Sequence, residues 1–206
     1  MDLTTAPVTF ALLIANTLLS LMAFGDDKFR YRGLFIVGPI LEGKEYYRLI
    51  TSGFLHGSQG HLLVNMLTLF FFGPALEGAL GPVYFGLVYF AGLIGGSLWM
   101  LLENRRNPRY SALGASGAVS GILIAFSLFA PFNTLLLFFV LPMWAIVFTI
   151  AYIGYSMYAS VYQKNSGIAH DAHLGGALAG GLMTILLVPA VWPNFIMQIE
   201  SKLGVG

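Results

Sequence analysis

Ser116 and His173 are polar residues within apolar stretches of the sequence, and together they could carry out acyl transfer. Polar side chains in such stretches are costly to bury and usually serve a purpose. Hydrolysis by a serine needs a base that takes the hydroxyl proton, and a neutral interior histidine can accept that proton. Gly114 and Gly117 lie beside the serine and would let a substrate backbone approach it. These residues predict a catalytic pair in which Ser116 is the nucleophile and His173 is the general base.

A second polar pair, His61 and Asn65, has the spacing of neighbours on one face of a helix. The asparagine amide and the histidine ring N–H can donate hydrogen bonds, and acyl transfer needs donors aimed at the developing oxyanion. All four residues lie next to the first, third or fifth connection between apolar stretches, and hence at similar depth on one side. An acidic third member is not evident, since Asp171 lies two residues before His173 and would point about 200° away from it on a helix. The sequence therefore predicts a serine–histidine dyad with two oxyanion donors.

Each of these residues also has a purely structural interpretation. Gly117 and Gly121 form a small-xxx-small pattern, which by itself indicates close helix packing. His173 could bond a neighbouring carbonyl from a packing face, and the earlier histidine–asparagine pair could cap or bridge helices. Glu77, near the end of an apolar stretch, is interpreted as a structural hydrogen-bond acceptor for loop backbone rather than a catalyst. The catalytic interpretation is favoured because a nucleophile, a base and donors occur together.

The composition is that of a membrane protein. Of 206 residues, 57% are apolar and 9% are charged, whereas a soluble domain carries about 25% charged residues. A bilayer span needs about 20 predominantly apolar residues, and long stretches without Asp, Glu, Lys or Arg provide them. Because these stretches are continuously apolar rather than alternating, helices are favoured over a β-barrel. Six helical spans are predicted, at residues 6–24, 61–80, 83–102, 113–130, 134–158 with a kink at Pro142, and 168–188.

The connection between the first two predicted spans, residues 25–60, is the only long one. It contains charges but also the apolar stretches 33–38 and 46–50. Long connections within a compact domain are usually functional, so we expect this loop to be folded and partly embedded in the membrane rather than a mobile linker. Six spans leave no room for a second domain. Residues 1–206 are therefore predicted to form a single all-α, polytopic membrane domain.

Other protein classes agree less well with the sequence. A net charge of +1 without a basic stripe gives no footprint for nucleic-acid binding, and the absence of cysteine excludes disulfides, thiolate metal sites and a cysteine nucleophile. A small transporter would have internal repeats, and none is evident. A metal or haem carrier would more often have an intramembrane carboxylate or several histidines on facing spans. We predict neither a metal nor another cofactor, although such a carrier could use His56, His61, His170 and His173.

The motifs resemble those of the rhomboid family of intramembrane serine proteases. The shared patterns are Gly-x-Ser at Gly114 to Ser116, His-x-x-x-Asn at His61 to Asn65, and a histidine followed by a glycine-rich helix at His173. Their order, the six spans and the long first loop agree with the family over nearly the whole chain. The resemblance implies that Ser116 attacks the substrate and that His173 is the base. It also implies that His61, Asn65 and the Ser116 backbone N–H stabilise the oxyanion.

The resemblance further implies the kind of substrate and the moving parts. Substrates would be transmembrane segments of membrane proteins in the lipid bilayer, unwound near the site, usually with a small residue before the cut. The fifth span would resemble a lateral gate, with Phe138, Phe139 and Trp144, and Gly176 and Gly180 would pack the sixth span against the serine-bearing span. The alternative is an inactive relative that binds transmembrane helices, although such proteins usually lack the serine or the histidine.

Two positions depart from the family pattern. Family members often have Trp-Arg in the first loop, where this chain has Tyr47-Arg48, an exchange that can preserve the aromatic role. Some members have a tyrosine four residues after the nucleophile that stacks on the base histidine, whereas this chain has Ser120. The sequence therefore leaves open what orients His173.

The two indicators of membrane orientation disagree. Nine of the ten Lys and Arg residues lie in the first, third and fifth connections, so the positive-inside rule places that side in the cytoplasm and both termini outside. Bacterial members of the family usually have cytoplasmic termini instead. We follow the resemblance and expect a multi-pass protein of a bacterial or archaeal cell membrane with cytoplasmic termini. The sequence gives no indication of the oligomeric state.

Overall fold

Helices make up most of the computed structural model, which describes residues 5–137, 140–162 and 170–204. The predicted all-α class is confirmed, with two small two-stranded sheets as additions. A 3₁₀ turn, Ser52–Phe54, lies between α4 and α5. The other elements are α1 (Pro7–Gly25), α2 (Asp27–Gly33), β1 (Phe35–Ile36), α3 (Val37–Leu41), α4 (Arg48–Thr51), α5 (Gln59–Asn104), β2 (Ser111–Ala112), α6 (Ser116–Phe129), β3 (Thr134–Leu137), β4 (Leu141–Trp144), α7 (Ala145–Tyr162), α8 (His170–Leu187) and α9 (Val191–Leu203).

Helix α5 combines the predicted second and third spans. Its 46 residues would extend for about 70 Å as a straight helix, more than twice the roughly 30 Å of a bilayer core. Gly81 breaks the helix with φ 75° and ψ 161°, a left-handed conformation that a glycine adopts without strain, and Pro82 follows it. The break falls between the predicted spans 61–80 and 83–102.

Two of the described helices, α1 and α5, are long and apolar enough to cross a membrane on their own. Helices α8 and α9 would make a third if they are taken as one span with a bend of 104°. Helix α6 has 14 residues, fewer than the approximately 20 that a full span needs. The count of six spans therefore stays a prediction.

The helix of the predicted fifth span begins later than the sequence indicated. Residues 134–137 and 141–144 form an antiparallel hairpin, β3–β4, and α7 starts only at Ala145. The prediction of one helix kinked at Pro142 is wrong, since Pro142 lies in β4 opposite Leu136. A short apolar run does not distinguish a strand from a helix by periodicity, and a proline is disfavoured inside a helix because it has no N–H to donate.

Of the three residues assigned to a lateral gate, the structure describes only Trp144. Phe138 and Phe139 lie outside the described residues. Trp144 ends β4, where its ring packs edge-on against Phe132 with centroids 5.3 Å apart, and the Lys202 ammonium lies 4.9 Å from its centroid. Trp144 therefore belongs to a contact between the hairpin and α9, not to a helix.

The long first connection is folded, as predicted. It contains three helices and strand β1, which pairs antiparallel with β2 so that Phe35 lies opposite Ala112. The Gly38 N–H donates to the Pro108 carbonyl at 2.9 Å and extends the same junction. The first and third connections are therefore joined at one end of the helix bundle, directly before α6. Embedding of this loop in a membrane stays a prediction.

Arg48 holds the first connection together from within. Its side chain is buried, and Nη1 donates to the carbonyl oxygens of Tyr31 and Leu34, each at 2.7 Å. Nε donates to the Glu45 carboxylate, and this hydrogen bond lowers the pKa of Glu45. The guanidinium also lies 5.5 Å from the centroid of the Tyr47 ring. The Tyr47-Arg48 pair thus combines backbone anchoring with an aromatic contact, as the exchange from Trp-Arg allowed.

Glu77 is a structural acceptor, which confirms the sequence interpretation. Its carboxylate is buried and accepts from the Val8 N–H at 2.9 Å, the Thr9 N–H at 2.7 Å and the Thr9 hydroxyl at 2.7 Å. The first N–H groups of a helix have no acceptor within it, and a negative charge there complements the helix dipole. The backbone that Glu77 satisfies is the first turn of α1 rather than a loop, so this carboxylate fixes α1 against α5.

Candidate active site

Helices α6 and α8 approach each other so closely that only glycines fit between them. A Cβ at Gly176 would lie 2.6 Å from the carbonyl carbon of Gly117, and one at Gly180 would lie 3.0 Å from the carbonyl carbon of Gly121. This contact confirms that these glycines pack the sixth predicted span against the serine-bearing helix. Ser116 precedes Gly117, and His173 lies one turn before Gly176. The crossing therefore brings the starts of the two helices to the same place.

Ser116 is the first residue of α6, and it is 7% exposed. The first N–H groups of a helix point outward without intrahelical acceptors, and they give this end a partial positive charge. A negative oxygen that develops beside Ser116 would therefore meet a backbone suited to anions. The Ser116 carbonyl has a partner within α6, since it accepts a hydrogen bond from the Ser120 hydroxyl at 2.7 Å.

Gly114 provides the space for the ring of His61. The residue has φ 131°, and a Cβ there would lie 2.6 Å from Cε1 and 2.9 Å from Nε2 of His61. Its N–H donates to the Ser52 carbonyl at 2.9 Å, which ties the strand before Ser116 to the first connection. The sequence assigned Gly114 to substrate approach, and the structure adds that any larger residue would displace the His61 ring.

Asn65 lies one turn after His61 on α5, as the spacing predicted, and its side chain is buried. Its Nδ2 donates to the His61 carbonyl at 3.2 Å. A primary amide has two N–H bonds, so Asn65 can make this bond and still donate a second one to a ligand. The bond holds the amide near the N-terminal end of α5, the same end at which the His61 ring meets Gly114.

His56 is a residue of the site that sequence reasoning considered only as a metal ligand. It is fully buried, with Nδ1 2.8 Å from the Ser20 hydroxyl and Nε2 3.4 Å from the Ala115 N–H. Ser20 donates its one hydroxyl hydrogen to the Phe54 carbonyl at 3.0 Å, so Nδ1 must carry the proton and Nε2 must accept from Ala115. His56 therefore links α1 to the residue directly before Ser116. Its position five residues before His61 was the only sequence signal.

The neutral state of His56 predicts a loss of stability in mild acid. Burial, with a smaller contribution from His61, lowers the pKa of His56 from 6.5 to about 3. The unfolded chain therefore binds a proton as the pH falls below about 6.5, whereas the folded chain does not until about 3, so the free energy of unfolding falls with pH across that window. We expect the Tm in detergent to fall less between pH 7 and pH 5 in His56→Gln than in the wild type. Equal slopes for the two proteins would contradict this assignment.

The ring of His173 stacks on a residue from α7. His173 is buried, and its ring stacks on Tyr152 with centroids 5.4 Å apart and an interplanar angle of 20°. The Tyr152 hydroxyl lies 3.1 Å from that of Ser120, which occupies the position where some family members have the stacking tyrosine. Sequence analysis missed Tyr152 because one tyrosine in an aromatic-rich helix carries no signal of its direction.

Within residues 5–137, 140–162 and 170–204, no three His, Asp or Glu residues converge as metal ligands would. The rings of His56 and His61 do meet, edge to face with centroids 5.1 Å apart. The side chains of His170 and Asp171, and with them the predicted direction of Asp171, lie outside the described residues.

The chain is similar to known proteins along most of its length. The family model of the Rhomboid domain matches residues 43–190. The mitochondrial RHOMBOID-like protein 12 of Arabidopsis thaliana is 32% identical over 191 residues, covering 85% of this chain and 56% of that protein. YdcA of Bacillus subtilis, named as a candidate rhomboid protease, is 32% identical over 149 residues, covering 70% of this chain and 68% of that protein. The mitochondrial Rhomboid protein 1 of Saccharomyces cerevisiae is 36% identical over 138 residues, covering 65% of this chain and 40% of that protein.

The coverage limits what these relatives show. The chain spans about half the length of the first of them and less than half of the yeast protein. Several relatives are mitochondrial by name, so the comparisons do not support the predicted bacterial or archaeal cell membrane.

Proposed function

The chain belongs to the rhomboid family of integral membrane proteins, and we propose that it is an intramembrane serine endopeptidase. The family acts on transmembrane substrates in the lipid bilayer, generally as serine proteases. One observation carries the proposal for this chain. Ser116 and His173 lie at the starts of two helices whose backbones touch through Gly117 and Gly176.

In the proposed reaction, the Ser116 hydroxyl oxygen attacks a peptide carbonyl carbon while His173 takes the hydroxyl proton. The tetrahedral intermediate collapses, its C–N bond breaks, and His173 returns the proton to the leaving amine. Water then attacks the acyl-enzyme with His173 again as the base, and the new carboxylic acid leaves as Ser116 recovers its proton. Atoms and charges balance over the two steps with no cofactor.

Three donors are proposed to stabilise the oxyanion of each tetrahedral intermediate. The Ser116 N–H belongs to the first turn of α6, which favours negative charge. The ring N–H of His61, which lies beside Gly114, and the amide of Asn65, one turn later, belong to the first turns of α5. The bond from Ala115 to His56 supports this arrangement, because it holds the backbone just before the nucleophile.

The proposed substrates are transmembrane segments that unwind locally. An intact helix shields its carbonyl groups within its own hydrogen bonds, so a scissile bond must leave the helix before Ser116 can attack it. The small residues around Ser116 suit an extended backbone with a small side chain before the cut. Small residues such as glycine destabilise a transmembrane helix and would therefore also help the scissile bond to leave it.

An inactive relative that binds transmembrane helices is the alternative within the family. The plant relatives are named RHOMBOID-like, which does not state an activity. The presence of both Ser116 and His173, with Tyr152 stacked on the histidine, supports the enzyme.

An activity-based probe separates the two possibilities without a known substrate. We expect a fluorophosphonate to react with the detergent-solubilised protein and to leave an adduct that mass spectrometry locates on Ser116. The adduct should be absent from Ser116→Ala and unaffected in Ser111→Ala, which changes an exposed serine nearby. A folded wild type without an adduct on Ser116 would favour the inactive relative and overturn the proposal.

Membrane orientation and domain extent are also proposed. We propose one domain over residues 1–206 and, by family resemblance, cytoplasmic termini. The described Lys and Arg residues of the first and third connections lie at the active-site end, so the positive-inside rule points the other way. The chain has no cysteine, so side-selective labelling of Arg105→Cys in sealed vesicles distinguishes the orientations.

A further inference from the structure

We propose that Tyr152 is the positioning residue for His173 and that it couples the placement of α7 to the reactivity of the dyad. The inference rests on the proposed function. It concerns a residue outside the three sequence motifs, on a helix that contributes neither the nucleophile nor the base.

The first contact is between the rings. The near-parallel stack of Tyr152 on His173 continues to Phe148, whose ring lies 6.3 Å from that of Tyr152 at 19°. Aromatic stacking of this kind fixes the plane of a ring and leaves its edge free to bond. The plane of the imidazole determines which way its nitrogens point, so Tyr152 sets the direction in which His173 can accept a proton.

The second contact reaches the nucleophile. Ser120 donates its hydroxyl hydrogen to the Ser116 carbonyl at 2.7 Å, so the Tyr152 hydroxyl is the donor in the 3.1 Å bond between Tyr152 and Ser120. A continuous chain of hydrogen bonds thus runs from α7 to the backbone of Ser116. Tyr152 therefore contacts the base through its ring and is linked to the backbone of the nucleophile through Ser120.

Helix α7 is placed so that both contacts can be lost together. Its outer face is exposed, with Val147 at 44% and Ile150 at 64%, whereas Thr149 on its inner face is buried and lies 2.7 Å from the Ser127 hydroxyl of α6. Displacing α7 from α6 would remove the Tyr152 ring from His173 and break the bond to Ser120. The dyad is then aligned only while α7 is seated.

Kinetics test the positioning role. Tyr152→Leu removes the ring and should lower the rate constant for probe labelling of Ser116 by at least about tenfold, since general-base catalysis contributes about 10²–10⁴-fold. It should also shift the pH profile of labelling, because the environment of His173 changes. Tyr152→Phe keeps the ring but loses the hydroxyl bond to Ser120, so its labelling rate should lie between those of the wild type and Tyr152→Leu. Tyr155→Leu, a matched change on the exposed face of α7, should have no effect.

Nuclear magnetic resonance tests the geometry without depending on activity. The chain has four histidines, so histidine-selective labelling gives few ring signals, and His173→Ala assigns the one of interest. The Tyr152 ring face should shift the His173 ring protons upfield in the wild type and in Tyr152→Phe, but not in Tyr152→Leu. Ser127→Ala, which removes the hydrogen bond between α6 and Thr149 of α7, should reduce the same shift.

The outcomes separate this inference from the proposed function. A wild type that is not labelled but has the upfield shift would reject the protease and keep the positioning contact. A folded Tyr152→Leu that labels at the wild-type rate would overturn the inference. So would a wild type without the shift, an outcome that stands even if Tyr152→Leu proves difficult to fold. A full shift in Ser127→Ala would reject the coupling to α7.

Discussion

Replacing Ser116 with alanine should abolish proteolysis of a transmembrane substrate, and so should replacing His173. Nucleophile and base act as a unit, so either change should lower kcat by about 10⁴-fold or more, and the double variant should be no worse than either single one. The measurement is the cleavage of a tagged single-pass membrane protein with a glycine- and alanine-rich transmembrane segment, reconstituted with the protease in liposomes.

Folding must be unaffected for this loss to report on chemistry. Either alanine is smaller than the residue it replaces and leaves the glycine contacts between α6 and α8 in place, so helix content and Tm should stay close to those of the wild type. Ser111→Ala, on the exposed side of β2, should cleave normally. Cleavage that persists in either Ser116→Ala or His173→Ala would contradict the dyad.

The sequence was sufficient where function depends on short-range patterns. His61 and Asn65 follow from a helical spacing, and Glu77 follows from the rarity of a carboxylate among apolar residues. The glycines of α6 were identified from the small-xxx-small pattern, which indicates close packing whatever the partner, and those of α8 from the resemblance to the family. Such inferences need one helix at a time, and the structure agrees with the helical spacing, the backbone contacts of Glu77 and the glycine packing. The oxyanion roles of His61 and Asn65 stay predictions.

The sequence was insufficient where distant segments meet. The contacts of Tyr152 with His173 and Ser120, and of His56 with Ser20 and Ala115, each join different elements. No local spacing distinguishes Tyr152 from the other tyrosines of α7, because only the crossing angle of α7 directs its ring toward the site. The β3–β4 hairpin was missed for a related reason, since its apolar run fits a strand and a helix equally well.

Gly176→Ala should separate the two helices that carry the dyad. The added Cβ would lie 2.6 Å from the carbonyl carbon and 2.7 Å from the Cα of Gly117, and neither backbone atom can move without shifting α6 or α8. Overpacking of this kind costs about 1–3 kcal/mol or more, and here it also displaces Ser116 from His173. We therefore expect a lower Tm together with loss of probe labelling at Ser116, measured on the same preparation.

Gly181→Ala is the matched control on the same helix. Its Cβ would lie 2.7 Å from Cγ2 of Ile124, so a half-buried side chain rather than the backbone of α6 must shift. An alanine also gains about 1 kcal/mol of helix propensity over glycine, which offsets part of that cost. We expect its Tm and labelling to remain near those of the wild type. If both alanine variants labelled equally well, the backbone contact at Gly176 would not determine the separation of the dyad. If only Gly176→Ala lost labelling, the close approach of α6 and α8 at Gly176 would be required for the reactivity of Ser116.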